Sequence, residues 1–451
     1  MGTRLPGRLA KPYAGRVDDM GCYLPRVTMT TGTHIGTAAT DITPPLGCLL
    51  VGYAPRRATR IGHPLRAEAL VCRQGSRGWA LITSDVLGYP AEFVAEVRRR
   101  IQRLTGLPPA AVMISGTHTH SGPASSFGAL HVNELDLSYL EELKDRLAAL
   151  VEQAWRNAVP AQFESAWTQA GELISNRRVQ KADGTWTNAW DDPQGTHTGY
   201  ADPAVLVLGV RPSGSDRLTG LLVNFGCHPV TLGGASLETS ADYPGYLKDQ
   251  VEANLPGCVA MFALAGGGNI DPRVCCTVGA EHPRRMGAAL AAAVLAAVPN
   301  LSPLTPGPLG YAVAPWEMTR IKDAPGALGS RIEKRGDVVR TEVHALRAGG
   351  LLVLGVPGEL FSEFNARFRQ IRPDLVTLVV SMADDYIGYL PTDEAQLQGA
   401  YEPTWAPIER LEQALVDHAI AAIAAATAPT APGRDQSLAS GSDSNSGTAT
   451  L

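Results

Sequence analysis

The chain has 451 residues, 45% of them apolar and 18% charged, with a formal net charge of −5. That length allows a large core and two or three domains, and the weakly acidic balance, without a long basic run, excludes a nucleic-acid partner held by phosphate contacts. No run approaches the roughly 20 uninterrupted apolar residues that span a bilayer, so no transmembrane segment is expected. No apolar stretch with a small-residue cleavage site follows Arg4, Arg8 and Lys11, which places the protein in the cytoplasm.

Residues 1–33 lack periodicity and read as a loose leader, within which Met20 or Met29 could be the true start. Short apolar runs bounded by Gly, Pro or polar residues predict strands at 80–83, 112–115, 205–210, 221–225, 259–264, 351–355 and 375–380. Helical periodicity marks 91–104, 137–155, 284–297, 362–371 and 408–425. No polar linker or internal repeat interrupts this series. The interleaving predicts one α/β domain over 34–428, with mixed β-sheets flanked by helices. Residues 429–451 are rich in Ser, Gly, Thr, Ala and Pro and read as a disordered tail. Cysteines at 22, 48, 72, 227, 258, 275 and 276 form an odd, scattered set without zinc-finger spacing, which suits reduced thiols. Cys227 reads as a packing residue rather than a nucleophile.

Four segments repeat one pattern, a short strand followed by a Gly- or Pro-rich turn that bears a metal-capable side chain. They are GTHTHSGP with His118 and His120, NFGCHP with His228, GVPGELFSEF with Glu359, and ADDYIGYLPT with Tyr386 and Tyr389. Imidazole and carboxylate donors suit Zn²⁺, and a catalytic zinc site keeps one position open. If extended geometry persists past the strand at 112–115, His118 and His120 project to one face. Asp85, after the strand at 80–83, and Asp242 in SADYPGY are candidate hydrogen-bond partners of the metal-binding imidazoles, or surface or turn residues. Gly267 and Gly268 either let the backbone approach a ligand or form a tight turn. His63 in GHPL either lines the site or packs beneath it.

The set GTHTHSGP, NFGCHP, GGGNIDP, GVPGEL and YIGYLPT…YE, preceded by TAATDITPPLGCLLVGYA and GHPLRAEALV, resembles the neutral ceramidase family of zinc-dependent amidases, in the same order from about residue 35 to 425. The resemblance implies that His118, His228, Glu359 and Tyr389 bind one zinc ion. It implies that His120 contacts the scissile amide, that Arg177 lies near the substrate, and that Tyr401 is a further active-site tyrosine. Asp271 stands where the family carries a serine implicated in catalysis, and Asn269 where an aspartate is usual. The serine-assisted route therefore does not carry over. A zinc-bound water attacking directly replaces it, with Asp271 as base or as anchor for a cationic substrate group. Secreted members add a C-terminal β-sandwich-like domain that this sequence lacks, so the resemblance covers one catalytic domain.

The function that follows is zinc-dependent hydrolysis of a linear N-acyl amide in a small intracellular substrate. The alternatives left open are amide formation, acyl transfer or cyclisation on the same scaffold, and a non-catalytic zinc-binding homologue. The oligomeric state is not readable from the sequence.

Overall fold

A computed structural model describes residues 32–125, 135–320 and 336–429. The leader up to residue 31 and the tail from residue 430 lie outside the described residues. The described residues belong to one unit that starts at Gly32.

The main sheet has nine strands. Eight of them, in chain order, are β1 (His34–Asp41), β2 (Arg66–Gln74), β3 (Arg77–Ser84), β4 (Val112–Gly116), β5 (Val159–Gln169), β6 (Ala204–Pro212), β7 (Gly220–Phe225) and β8 (Val259–Leu264). They lie side by side in the order β8-β7-β6-β5-β1-β2-β3-β4, and the short Ser302–Pro303 strand joins β5. The middle of the sheet is antiparallel, whereas its two outer pairs, β3 with β4 and β7 with β8, are parallel. A second sheet of four strands follows: β9 (Leu309–Thr319), β10 (Val338–Ala348), β11 (Leu351–Gly355) and β12 (Val376–Val380), in that order. Its last pair is also parallel.

Parallel neighbours cannot be joined by a hairpin, so each needs a crossover. The three crossovers are α1 (Ala91–Thr105) between β3 and β4, α3 (Asp242–Asn254) between β7 and β8, and α5 (Glu363–Ile371) between β11 and β12. Between β4 and β5 lies α2 (Leu137–Asn157), and α4 (Glu281–Ala297) follows β8. The last two helices are α6 (Asp393–Gln398) and α7 (Leu411–Thr427). Helix α1 forms because Phe93, Val97 and Ile101 recur every fourth residue and bury one stripe. It stops at Gly106, which takes φ 77° and caps the helix by donating to Gln102 O.

The strands predicted from the sequence include β4, β7 and β11, whose residues are buried throughout. Covered on both faces, such strands read as continuous apolar runs. The prediction missed β1, β2, β5, β9 and β10, long antiparallel strands. In β5 and β9 buried and exposed positions interleave with Pro, Gln and Glu, which masks the apolar signal. It also missed α3, whose first turn holds buried Asp242 and Pro244.

All three parallel pairs deliver the carboxyl ends of their strands to one place, where open α/β sheets commonly hold their sites. The segment after β12 seals the junction between sheets. Ser381 N donates to Leu264 O (2.8 Å) and Asp384 N to Ile114 O (2.7 Å), while Asn224 Nδ2 bridges Ala263 O and Val379 O at 2.9 and 2.8 Å. Among the described residues the fold ends with α7, and no helix is long and apolar enough to cross a membrane.

Candidate metal centre and active site

His118 stands just past the end of β4 in the left-handed region, at φ 71°. The extended continuation expected from the sequence is thus a turn, held by His118 N donating to Val86 O at 2.9 Å. Its Nδ1 faces Leu87 O at 2.8 Å. His228, three residues past β7, is held in the same manner: its N donates to Ile270 O at 3.0 Å and its Nδ1 faces Gly267 O at 2.8 Å. A carbonyl only accepts, so each Nδ1 carries a proton, which leaves each Nε2 able to present its lone pair to a metal. Those lone pairs converge on Glu359, whose Oε2 lies 2.9 Å from His228 Nε2 and 3.4 Å from His118 Nε2. Three acceptors facing one another in a buried space repel unless a cation sits among them.

Burial opposes ionisation of the Glu359 carboxyl, but positive charge on the imidazole side, from His118 first and His228 next, holds it well below the usual carboxylate range; a cation among the three atoms supplies that charge when the imidazoles are neutral. The ligand atoms of His118, His120 and His228 all fall within 4.8 Å of one another. His118 Nε2 and both ring nitrogens of His120 are buried without a hydrogen-bond partner. Buried polar atoms are rarely left unpaired unless a ligand, ion or water meets them. The donor chemistry of this set, imidazole with carboxylate, fits Zn²⁺.

The two tyrosines divide differently from the expectation. Glu359–Leu360 pairs in parallel with Tyr389–Leu390, which sets Tyr389 beside Glu359. The Tyr389 hydroxyl accepts from Arg177 Nη2 at 3.0 Å, while the Tyr386 hydroxyl is the one that donates to Glu359 Oε1. Burial and the Glu359 charge push both phenols well above their ordinary range.

Arg177 is fully enclosed. Its Nε donates to Glu402 Oε1 (2.8 Å), Nη1 to Asp271 Oδ1 (3.0 Å) and Nη2 to Gly268 O (2.8 Å), and its guanidinium lies 4.9 Å from the Trp190 ring centroid. Asp271 therefore meets a protein cation already. Tyr401 packs edge-on against Tyr389 and Trp190, with centroids 5.8 and 5.4 Å apart. Glu402, not singled out from the sequence, neutralises both Arg177 and Arg178. Its signal was its place beside Tyr401.

Several expectations need correction. Neither imidazole rests on Asp85 or Asp242; backbone carbonyls take that place. Asp85 pairs with buried Lys248 Nζ at 2.7 and 2.9 Å. Asp242 accepts from Thr231 Oγ1 and Leu232 N, fixing the loop after His228. His63 faces Asp249 Oδ2 and Pro64 O with its two nitrogens, so no ring atom is left for a substrate. Asn269 uses its amide on Glu363 and on Ser362 N. The glycines serve backbone packing: a Cβ on Gly267 would meet Cys227 N at 2.8 Å, and one on Gly268 would meet Glu359 O at 2.5 Å. Burial pushes the Cys227 thiol well above its ordinary range, consistent with packing.

Sequence reading also missed the cradle of His120. Gly52, at φ 91°, leaves space that a Cβ could not, since it would fall 2.3 Å from His120 Cγ. The Tyr53 ring abuts the imidazole edge-on at 5.0 Å, and Arg56 Nη2 donates to His120 O at 2.6 Å. Burial, then the neighbouring imidazoles, hold the His120 pKa well below its ordinary value.

The family model for the N-terminal part of neutral/alkaline non-lysosomal ceramidases matches residues 34–287, more than half of the chain. The chain belongs to this family. Among curated relatives, neutral ceramidase A of Dictyostelium discoideum is 24% identical over 260 residues, covering 53% of this chain but 36% of that protein's length. The crystal structure of neutral ceramidase from Pseudomonas aeruginosa superposes with a TM-score of 0.73 at 18% identity, covering 90% of this chain and 77% of that one. A second structure, a ceramidase complexed with C2, gives 0.71 at 18% identity, covering 89% and 77%. At that identity the likeness establishes the fold.

Proposed function

We propose that this protein is a zinc-dependent amidase that hydrolyses the linear N-acyl bond of a small acyl-amine. One observation carries the reading: two buried imidazole lone pairs converge on the buried Glu359 carboxylate, with a third, unpaired imidazole alongside. His118, His228 and Glu359 hold the ion, with Tyr389 completing the set once its phenol ionises. Bound there, Zn²⁺ supplies a Lewis acid for the amide carbonyl and a water activated near neutral pH.

The remaining roles belong to side chains. Neutral His120 offers an N–H to the carbonyl oxygen as negative charge develops and a lone pair for a proton in transit. Arg177, pinned between Asp271 and Glu402, orients the Tyr389 hydroxyl. With its carboxylate on Arg177, Asp271 acts through that arginine rather than by binding a cationic substrate group. Tyr401 packs against the exposed Trp190 ring. The cytoplasm is the compartment proposed, and the six described cysteines, all free thiols, suit its reducing conditions.

Purified protein is expected to carry stoichiometric zinc and to hydrolyse members of an N-acyl amine panel that includes ceramide. A chelator should remove metal and turnover together, and added Zn²⁺ should restore both. A metal-free protein that turns over at the same rate overturns the reading.

A further inference from the structure

Cys275 and Cys276 take no part in the site described above, yet they border it on two sides. Their sulfurs lie 3.4 Å apart. Cys275 is buried, and Cys276 is exposed with φ 57°. The backbone around them is pinned: Cys276 N donates to Val230 O and Thr277 N to Thr231 O, each at 2.8 Å, and Cys275 N donates to Asp191 Oδ1 at 3.2 Å.

Each sulfur touches a residue that packs on the active site. Cys275 Sγ donates to Trp190 O at 2.7 Å, and the Trp190 ring covers the Arg177 guanidinium and abuts Tyr401. Cys276 Sγ lies 3.7 Å from the Tyr53 hydroxyl, whose ring abuts His120. Cys48, Cys72, Cys227 and Cys258 are buried, so among the described cysteines Cys276 alone faces solvent.

We propose that Cys275 and Cys276 form a thiol–disulfide exchange site that accepts low-molecular-weight disulfides and closes reversibly to a bond between the two neighbours. The exposed Cys276 thiolate attacks one sulfur of the small disulfide, forming a mixed disulfide and releasing one thiolate. Cys275, giving up its proton, then attacks the Cys276 sulfur and expels the second thiolate. Two protein thiols are oxidised, one small disulfide is reduced to two thiols, and the two protons leave with them. Reversibility follows from geometry. Neighbouring residues hold their Cα atoms about 3.8 Å apart, below the roughly 4.4–6.8 Å usual for a disulfide, and strained bonds reduce more readily.

Closing the bond consumes the Cys275 S–H and with it the hydrogen bond to Trp190 O. The wall over Arg177 and Tyr401 loses an anchor, and turnover falls. That last consequence rests on the amidase reading; the sulfur chemistry does not.

The test exposes folded, zinc-loaded protein to oxidised glutathione, alkylates the remaining thiols and maps the peptides. Expected is the loss of free thiol at both Cys275 and Cys276 within one chain, reversed by dithiothreitol. Cys275→Ser should stop at a glutathione adduct on Cys276, and Cys276→Ser should form neither adduct nor bond. The proposal is overturned if both thiols still alkylate fully, if the wild type stops at the Cys276 adduct, or if Cys276 pairs with Cys22, which lies outside the described residues. In a parallel assay, oxidation should lower kcat/KM by roughly tenfold, the scale of one lost hydrogen bond, while Cys276→Ser keeps its rate under the same treatment. A closed bond with unchanged kcat/KM overturns the link to the active site, and zinc content in the same sample separates that failure from loss of the metal centre.

Discussion

His118 donates its Nδ1 proton to the Leu87 carbonyl, whereas His120 leaves both ring nitrogens unpartnered. The two imidazoles, one residue apart in sequence, are thus prepared for different work: one for a fixed lone pair towards an ion, the other for exchange with a reacting molecule. His118→Ala is expected to abolish zinc binding and turnover together. His120→Ala is expected to retain zinc while kcat falls by about 10²–10⁴, the range for one acid–base group. Equal zinc loss in the two variants, by elemental analysis, contradicts this division. Arg177 makes a separate case, since it neutralises Asp271 and Glu402 inside the protein. Arg177→Met leaves buried Asp271 without its cation and takes one of the two arginines from Glu402, which keeps Arg178, and should cost about 3–5 kcal/mol of stability in urea titration. A loss within half a kcal/mol would mean that the pair is solvated. At this scale the sequence named the metal-capable residues well, because few side chains offer such chemistry. It could not name what they touch: Asp85 and Asp242 were plausible partners by position, yet their carboxylates are taken by Lys248 and by the loop after His228.

The site is built from turns, and turns are where glycine is demanded by contact. Gly268 approaches the Glu359 carbonyl so closely that a Cβ would lie 2.5 Å from it, against backbone that has little freedom to yield. Gly268→Ala is expected to destabilise the protein by about 1–3 kcal/mol, as overpacking does, and to weaken zinc affinity, checked by thermal melting and zinc titration. Gly52→Ala strikes the His120 ring and must also adopt φ 91°; it should lower kcat while zinc content stays unchanged. If Gly52→Ala loses zinc as well, the cradle serves the whole centre and not His120 alone. Among longer elements, β4, β7 and β11 were legible because strands buried on both faces are written as unbroken apolar runs. The long antiparallel strands were not, since β5 alternates exposed Pro160 and Gln162 with buried Ala161 and Phe163 and then buries the charged Glu164. Which strands are neighbours is not local information, and the turn at His118 replaced the extended geometry that its flanking residues suggest.

Across the molecule, buried charge ties the two sheets together next to the site. Asp384 accepts from Ile114 N on β4 at 2.8 Å and pairs with Arg98 on α1 at 2.9 Å and with His344 on β10 at 2.7 Å. Its neighbour Asp385 accepts from Ala91 N and Tyr386 N, yet burial pushes its carboxyl up to about 7. The unfolded chain releases that proton near pH 3.9. Between about pH 4 and 7 the folded form therefore holds a proton that the unfolded form gives up, and stability from this group declines as pH rises through that window. Asp385→Asn keeps an acceptor without the charge, so its advantage over the wild type should be larger at pH 8 than at pH 5 in denaturant titration; equal differences at both values contradict the assignment. The order and chemistry of the donor segments, the α/β class and membership in a ceramidase-like lineage were determined by the sequence, because short-range patterns and side-chain type suffice for them. Only the tertiary structure decided which acceptors face each other, which glycines are sterically required and which carboxylates are already paired. Those depend on distances between residues far apart in the chain, 225 positions for Arg177 and Glu402 and 294 for Ala91 and Asp385, and contacts at that range exist only once the sheets have packed.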